Sequence, residues 1–177
     1  MKPWQIAVVG LVFALLGIFY YGLGRDPREI PSPLIGRTAP AFSGETTEGV
    51  PYPVTAHTGK VVLVTFWATW CTTCKADEPL IEAINRRFGG DPDFALVGVA
   101  TQDERAGVRA FLAKGHRPYL NLFDAKGKLA IDFGVYGVPE TFLIDRSGMV
   151  LDKIPGAINV NKLSKQIDDA LKGGRKG

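Results

Sequence analysis

Residues 60–75 read KVVLVTFWATWCTTCK, an apolar and β-branched run that ends in two cysteines, Cys71 and Cys74, separated by two residues. Because the first part of this stretch has almost no polar alternation, it predicts a buried strand in the centre of a sheet. The segment that follows, residues 76–88, is compatible with a helix. We therefore predict a strand followed directly by a helix, with the cysteine pair at the junction.

This pattern places Cys71 at the N-terminus of the helix. Unpaired backbone N–H groups and the positive end of the helix dipole favour an anion at that position. Thiols at helix N-termini have a pKa lowered from about 8.5 toward about 3.5–7.5, which makes them reactive thiolates. Cys74 comes one turn later, pointing inward and close enough to close a small disulfide ring. The pattern indicates thiol–disulfide exchange.

Three other interpretations of the cysteine pair fit the sequence less well. Cys71 and Cys74 are the only cysteines, and a structural disulfide across two residues closes too short a loop to stabilise much. Zinc would need two further ligands, but the only histidines, His57 and His116, are not at ligand spacing. Haem attachment needs a histidine after the second cysteine, where this chain has Lys75. A redox pair is therefore favoured.

The composition is that of an ordinary globular protein of 177 residues, with 22% charged and 46% hydrophobic residues. This length allows one domain with appendages. The net charge of +3 is small and spread along the chain, so nucleic acid binding has no support. No Gly-x-Gly-x-x-Gly follows a strand, which argues against a nucleotide or flavin site. We expect neither a cofactor nor a metal.

The N-terminal segment, residues 4–24, is apolar apart from Gln5. About 20 apolar residues suffice to span a bilayer as a helix, whereas the apolar part of a cleaved signal peptide is normally about 7–15 residues long. The length therefore favours an uncleaved anchor over a signal peptide. Basic residues lie on both sides of the segment, so charge barely decides its orientation. A cytoplasmic N-terminus with an exported domain is the simpler topology.

These features divide the chain into four parts. We predict a transmembrane anchor over residues 1–25, a proline-rich tether over 26–34, a folded domain over 35–172 and a flexible tail over 173–177. In the domain, further strands are predicted at 94–100, after Pro139, and at 149–154, where the last two form an antiparallel hairpin. Further helices are predicted at 104–114, 126–133 and 160–171. The fold class is α/β, a mixed sheet flanked by helices.

The chain resembles the thioredoxin superfamily in the run FWATWCTTC at 66–74, in Pro79, and in the run GVPETFLID at 137–145. More narrowly, GVYGVPETF at 134–142 is similar to the membrane-anchored thiol:disulfide interchange proteins of the DsbE/CcmG type, which act in cytochrome c maturation. The resemblance covers about residues 34–171. It implies a thioredoxin-like sheet, a cis bond between Val138 and Pro139 beside the cysteines, and a reduced working state renewed by a membrane reductase of the DsbD/CcdA kind.

The resemblance also implies which acids assist proton transfer. Thioredoxin has a buried acid six residues before its first cysteine, where this chain has Thr65, so the acid must come from elsewhere. By the family pattern, Asp77 and Glu140 are the matching positions, although the family more often carries Glu at the former. The alternative for both is a solvated surface carboxylate. Glu78, next to Asp77, is expected to face solvent.

The expected reaction begins when reduced Cys71 attacks a disulfide of a partner protein, and Cys74 then resolves the mixed disulfide. Trp70 is expected to shield the cysteine pair and to offer apolar contact surface. Main-chain groups at Val138 are expected to pair with the substrate as an added strand, and Pro139 cannot donate and so leaves that edge open.

By the same resemblance, the substrate is the pair of haem-attachment cysteines of an apocytochrome c, or a thiol carrier that passes electrons to them. The expected location is the bacterial inner membrane, spanned once, with the domain facing the periplasm. A general periplasmic disulfide reductase, a copper-site maturation thioredoxin of the same fold and a non-catalytic interaction domain remain as alternatives. A peroxiredoxin-type peroxidase would need proline and threonine where this chain has Val64 and Ala68.

Overall fold

The computed structural model describes residues 3–23, 33–41, 44–53 and 57–173 of the chain. The chain divides into two compact units, Met1–Pro31 and Ser32–Gly177. The predicted tether, 26–34, lies outside the described residues except for its last two positions. The predicted tail, 173–177, lies outside them except for its first.

The first unit contains one helix, α1, which runs over Pro3–Leu23. At a rise of about 1.5 Å per residue, a helix of 21 residues is about 31 Å long, close to the thickness of a bilayer's hydrocarbon core. Its apolar part, Pro3–Tyr21, has a mean hydropathy of 1.9. The large side chains that the structure describes along it, such as Phe13 and Phe19, are exposed. By length and composition, α1 is able to cross a membrane.

The second unit is built from strands and helices that alternate along the chain. They are β1 Gly44–Thr46, β2 Pro51–Tyr52, β3 Val61–Trp67, α2 Thr72–Phe88, β4 Phe94–Thr101, α3 Arg105–Leu112, β5 Leu120–Asp124, α4 Lys128–Asp132, β6 Glu140–Ile144, β7 Val150–Pro155 and α5 Val160–Gly173. The predicted order of strands and helices is confirmed, and so is the predicted place of Cys71 at the N-terminus of α2, which has Cys74 in its first turn.

The strands form one mixed sheet in the order β2-β1-β5-β4-β3-β6-β7. β3, β4 and β5 are parallel to one another, whereas β6 and β7 form the predicted antiparallel hairpin beside β3. β1 adds to the far side of β5 in the antiparallel sense. This is the α/β, thioredoxin-like sheet that the sequence predicts.

All seven residues of β3 are buried, as expected for a central strand covered on both faces. Successive side chains of a strand point to opposite faces, so β3 contributes to two cores. Val62, Val64 and Phe66 pack with α4 on one face. Val61 and Leu63 pack with α2 and α5 on the other. The segment with the cysteines begins at the carboxyl end of β3, so this buried strand fixes the position of that segment.

Candidate active site

The two cysteines form a disulfide at the start of α2, with 5.2 Å between their Cα atoms. Cys71 is the N-cap residue, with extended backbone angles of φ −82° and ψ 108°. Its Sγ accepts a hydrogen bond from the backbone N–H of Cys74 at 3.0 Å. The sulfur therefore occupies the place where a helix N-terminus stabilises negative charge.

Both cysteines lie against an apolar wall. Cys71 is 5% exposed and Cys74 only 1% exposed, so an incoming disulfide reaches Cys71 first. The buried side chains around them come from β3 and the residue after it, from β4, β5 and α3; they are Trp67, Ala68, Ala100, Val108 and Phe123. This wall keeps water from the inner sulfur, which suits a resolving cysteine.

The loop before β6 closes over Cys71. The peptide bond between Val138 and Pro139 is cis, as the resemblance implies. The carbonyl oxygen of Val138 lies 3.5 Å from the Sγ of Cys71. Pro139 is buried, and its carbonyl accepts a hydrogen bond from the backbone N–H of Gly156 at 2.8 Å. The structure thus brings together four of the expected site residues: Cys71, Cys74, Val138 and Pro139.

The segment before Cys71 is held by residues that sequence reasoning did not single out. Asp103 accepts two hydrogen bonds from Thr69, one from its backbone N–H at 2.5 Å and one from its hydroxyl at 3.0 Å. The indole of Trp70 donates to the carbonyl of Gln102 at 3.0 Å and is 59% exposed. A signal was available, because Gln102 and Asp103 directly follow β4, whose carboxyl end adjoins that of β3.

Asp77 lies in α2 one turn after Cys74 and is only 1% exposed. Its Oδ1 accepts a hydrogen bond from the backbone N–H of Ile158 at 2.9 Å, and its Oδ2 has no partner among the described residues. Burial raises the pKa of Asp77, while the Ile158 bond and the positive charge of Arg117 act in the opposite direction. The alternative of a solvated surface carboxylate is wrong for Asp77.

Glu140 is also buried, at 5% exposed, so the surface alternative is wrong here as well. It stands opposite Phe66 in the register of β3 and β6, and residues opposite each other in a ladder share a face. Its side chain therefore projects to the face of Phe66, whereas Asp77 approaches the sheet from the face of α2. The structure does not bring the two expected acids together.

The carboxylate of Glu140 makes its polar contacts with the closing loop and with β7. Its Oε1 accepts a hydrogen bond from the backbone N–H of Tyr136 at 3.3 Å. Its Oε2 lies 2.9 Å from the ammonium of Lys153, which also donates to the carbonyl of Gly134 at 2.7 Å. Lys153 was missed, since a single lysine in a strand carries no sequence signal of burial. This ion pair ties residues 134–138 to the sheet.

Glu78 does not face solvent as expected; it is 7% exposed. Its Oε1 lies 2.7 Å from the Nδ1 of His116, whose ring stacks on Phe111 with 4.2 Å between centroids. The connection between α3 and β5 covers this side of α2. The expectation failed because the covering residues lie far along the chain from Glu78.

The Redoxin family matches residues 34–171, which is most of the chain. The chain belongs to the redoxin family. Among curated relatives, the thiol:disulfide interchange protein DsbE of Pseudomonas fluorescens is 38% identical over 162 residues, covering 90% of this chain and 88% of the relative. The thiol:disulfide interchange protein HelX of Rhodobacter capsulatus is 32% identical and covers 97% of both chains.

Solved structures agree with this assignment. A candidate DsbE from Chlorobium tepidum superposes with a TM-score of 0.69 at 32% identity, covering 77% of this chain and 97% of that one. Redoxin membership, these relatives and the Cys71–Cys74 disulfide together define a thiol–disulfide oxidoreductase whose redox centre is the cysteine pair. The resemblance stated from the sequence is confirmed.

Proposed function

We propose that this redoxin reduces disulfides in partner proteins during cytochrome c maturation. The observation that carries the proposal is the Cys71–Cys74 disulfide at the start of α2, beside Val138, in a chain similar over nine-tenths of its length to DsbE. The similarity of GVYGVPETF at 134–142 to the DsbE/CcmG type supports the particular pathway.

The reaction transfers two electrons and two protons to the target. The thiolate of Cys71 attacks one sulfur of a target disulfide, so that a mixed disulfide forms and the other target sulfur leaves as a thiolate. The thiolate of Cys74 then attacks the Sγ of Cys71, which closes the Cys71–Cys74 disulfide and releases the second target thiolate. The two protons lost by the cysteine thiols end on the two target sulfurs.

Asp77 and Glu140 have different roles in this proposal. Asp77 accepts the proton of Cys74, because it lies one turn later on the same face of α2 and keeps one carboxylate oxygen without a partner among the described residues. Its raised pKa brings it closer to the pH at which it must exchange a proton. Glu140 acts through its ion pair with Lys153, which holds the loop that carries Val138.

The target docks on the exposed surface around Cys71. The side chains of Trp70 and Tyr136 are 59% and 75% exposed and offer apolar surface in the segments that flank Cys71 and Val138. Main-chain groups at Val138 pair with the target as an added strand. The targets are the haem-attachment cysteines of an apocytochrome c or a thiol carrier that acts on them.

The redoxin domain, residues 35–172, is held at the bacterial inner membrane by an anchor over residues 1–25 and faces the periplasm. The support for this is α1, which is long and apolar enough to span a bilayer once. In an oxidising compartment a reducing pair must be renewed. A membrane thiol reductase of the DsbD/CcdA type supplies the electrons.

A deletion strain tests this function. Loss of the gene is expected to abolish holocytochrome c, and the full chain is expected to restore it while the Cys71→Ser chain does not. Full cytochrome c levels in the deletion strain would contradict the proposal. Rescue by added copper would instead support a copper-site maturation thioredoxin of the same fold. Full rescue by a chain with both cysteines as serine would support a non-catalytic interaction domain.

A further inference from the structure

Arg117 is buried directly behind Cys74. The residue is only 2% exposed, although an arginine is seldom buried without an ionic partner. One guanidinium nitrogen, Nη2, donates to the carbonyl oxygen of Cys74 at 2.7 Å. The other, Nη1, donates to the hydroxyl of Tyr119 at 2.9 Å, and the guanidinium carbon lies 4.6 Å from the centroid of the Trp67 ring.

The charge of Arg117 is incompletely balanced. Among the described residues no carboxylate lies within salt-bridge distance of Arg117; Asp77 attracts it electrostatically from farther away, and its Nε has no hydrogen-bond partner. Burial raises the pKa of Tyr119 to about 12, so this hydroxyl is neutral at ordinary pH and accepts from Arg117 as a dipole only. A buried cation without a full counter-charge is costly unless another anion forms beside it.

The backbone at Arg117 adopts an uncommon conformation. It has a φ of +49°, in the left-handed region that few residues other than glycine adopt, and it precedes Pro118. Such a conformation is unfavourable and persists only where the surrounding structure holds it. Here it allows the guanidinium to enter the protein behind α2.

A second set of hydrogen bonds, made by Asn121, fixes the backbone around Arg117 and the ring on which its guanidinium stacks. The amide of Asn121 donates to the carbonyls of Arg117 at 3.1 Å and Tyr119 at 2.7 Å. The Oδ1 of the same side chain accepts from the indole of Trp67 at 3.0 Å. These hydrogen bonds fix the backbone of Arg117 and the Trp67 ring on which its guanidinium stacks, while both terminal nitrogens of the guanidinium are held by their own hydrogen bonds.

We infer that Arg117 is a positioning residue for the resolving cysteine, whose buried cation stabilises the negative charge that Cys74 carries whenever the disulfide is open. The inference rests on the exchange reaction proposed above and adds a named group to it. The other ionisable groups around this cation are Asp77 and Glu78 from α2, and His116 and Tyr119 from the connection to β5.

The effect falls on one step. In the forward direction Cys74 must lose its proton before its sulfur can attack Cys71 and expel the target thiolate. In the reverse direction, when a reductant's thiolate attacks Cys71, the electron pair of the broken bond remains on Cys74. A cation held at the carbonyl of Cys74 favours the charged sulfur in both directions. The initial attack by Cys71 depends instead on the helix N-terminus.

Stopped-flow kinetics of the reduced full chain in detergent, with 5,5′-dithiobis(2-nitrobenzoate) as the disulfide, separates the two steps. Attack by Cys71 releases the first aryl thiolate at a rate proportional to reagent concentration. Attack by Cys74 on Cys71 releases the second aryl thiolate at a rate that does not depend on reagent concentration. A nearby opposite charge shifts a pKa by about one unit or more, and one unit means about tenfold less thiolate.

We expect Arg117→Gln to leave the first phase unchanged and to slow the second. The thiolate that remains is about threefold more nucleophilic because it is more basic, so the net loss at pH 7 is about threefold. The pH midpoint of the second phase moves in the alkaline direction. Arg117→Lys, which keeps the charge, retains the wild-type midpoint. Arg105→Gln is the matched control, since Arg105 also stacks on a ring, that of Phe123, but makes no polar contact with either cysteine.

A second phase of wild-type rate and midpoint in Arg117→Gln would overturn the inference, and so would equal shifts in the Gln and Lys variants. If circular dichroism shows that Arg117→Gln is unfolded, the Lys variant decides, and an alkaline midpoint in a folded Arg117→Lys chain is the contrary result. Absence of the first phase in the wild type would instead refute the exchange activity itself, so the two failures are distinguishable.

Discussion

Glu140 and Lys153 form a buried ion pair, with 2.9 Å between the carboxylate Oε2 and the ammonium and with side chains only 6% and 7% exposed. The ammonium also lies 4.5 Å from the centroid of the Tyr136 ring and donates to the carbonyl of Gly134. A pair so placed joins the loop that carries Val138 to both strands of the β6–β7 hairpin. It explains why an acid directly after Pro139 is buried.

Removal of one partner of this pair is expected to be severe. Lys153→Met leaves the Glu140 carboxylate buried and uncompensated, which costs about 3–5 kcal/mol of the free energy of unfolding. The double variant Glu140→Gln/Lys153→Met is expected to recover much of this loss, because neither charge is left buried. Denaturant unfolding of the full chain in detergent measures both. Lys128→Met, which breaks the exposed pair with Asp132, serves as control and is expected to cost less than about 1 kcal/mol. A Lys153→Met chain as stable as this control would contradict the account.

Asp77 is expected to lower stability at neutral pH. Its pKa is raised by burial, so the folded state keeps its proton over a range in which the unfolded chain has already lost it. The stability of the folded state is therefore unaffected by the charge of Asp77 below the unfolded pKa. It decreases as pH rises from there through the folded pKa, because the buried carboxylate must then carry a charge. Asp77→Asn should be more stable than the wild type at pH 7, and the difference should vanish in acid, as measured by thermal unfolding across pH.

The matched control for Asp77 is Asp145. Although burial acts to raise the pKa of Asp145, hydrogen bonds from Ser147, Met149 and Gly148 outweigh it and lower that pKa. Its contribution is present above the unfolded pKa and is lost as pH falls through the folded pKa. Asp145→Asn should therefore be less stable than the wild type at pH 7, with a deficit that shrinks in acid. The same sign of change for both variants would show that the burial argument for Asp77 fails.

Gly98 is expected to tolerate no side chain. In β4 it faces Thr65 of β3 and Asn121 of β5, and a Cβ atom there would overlap the Oδ1 of Asn121 and crowd the indole nitrogen of Trp67. Gly98→Ala should cost about 1–3 kcal/mol, as overpacking of a core does. Denaturant unfolding checks it against Gly107→Ala in α3, where a Cβ meets nothing within 4 Å and a gain of about 0.4–1 kcal/mol is expected. A neutral Gly98→Ala would mean that the Trp67–Asn121 hydrogen bond does not hold the core below the cysteines.

The central strand and the cysteine pair were predictable because their signals are local. A continuous apolar run predicts a strand that is buried on both faces, and two cysteines at the end of such a run indicate a strand–helix junction. The antiparallel addition of β1 to β5 was not predictable in the same way. It depends on Glu45 reaching Phe123, far along the chain, and on two short edge strands with little pattern of their own.

The residues that surround the sulfurs were only partly predictable for the same reason. Cys71 and Cys74 are close in sequence, and Val138 was predicted from a resemblance to a known family. Arg117 is 43 residues from the carbonyl that it contacts, and nothing in its neighbourhood marks it as buried. Glu78 was expected to be exposed because the residues that cover it, such as His116, come from another part of the chain. Burial of polar groups follows from tertiary contacts, which local patterns do not contain.

Trapping of mixed disulfides tests the central claim most directly. The Cys74→Ser chain, expressed in cells and isolated after acid quenching, lacks the sulfur that resolves the intermediate, so covalent complexes should accumulate through Cys71. They should disappear on reduction, be absent from Cys71→Ser/Cys74→Ser chains, and contain the haem-attachment cysteines of an apocytochrome c or of its thiol carrier by mass spectrometry. A Cys74→Ser chain that is folded and membrane-bound yet traps no protein would contradict the exchange reaction.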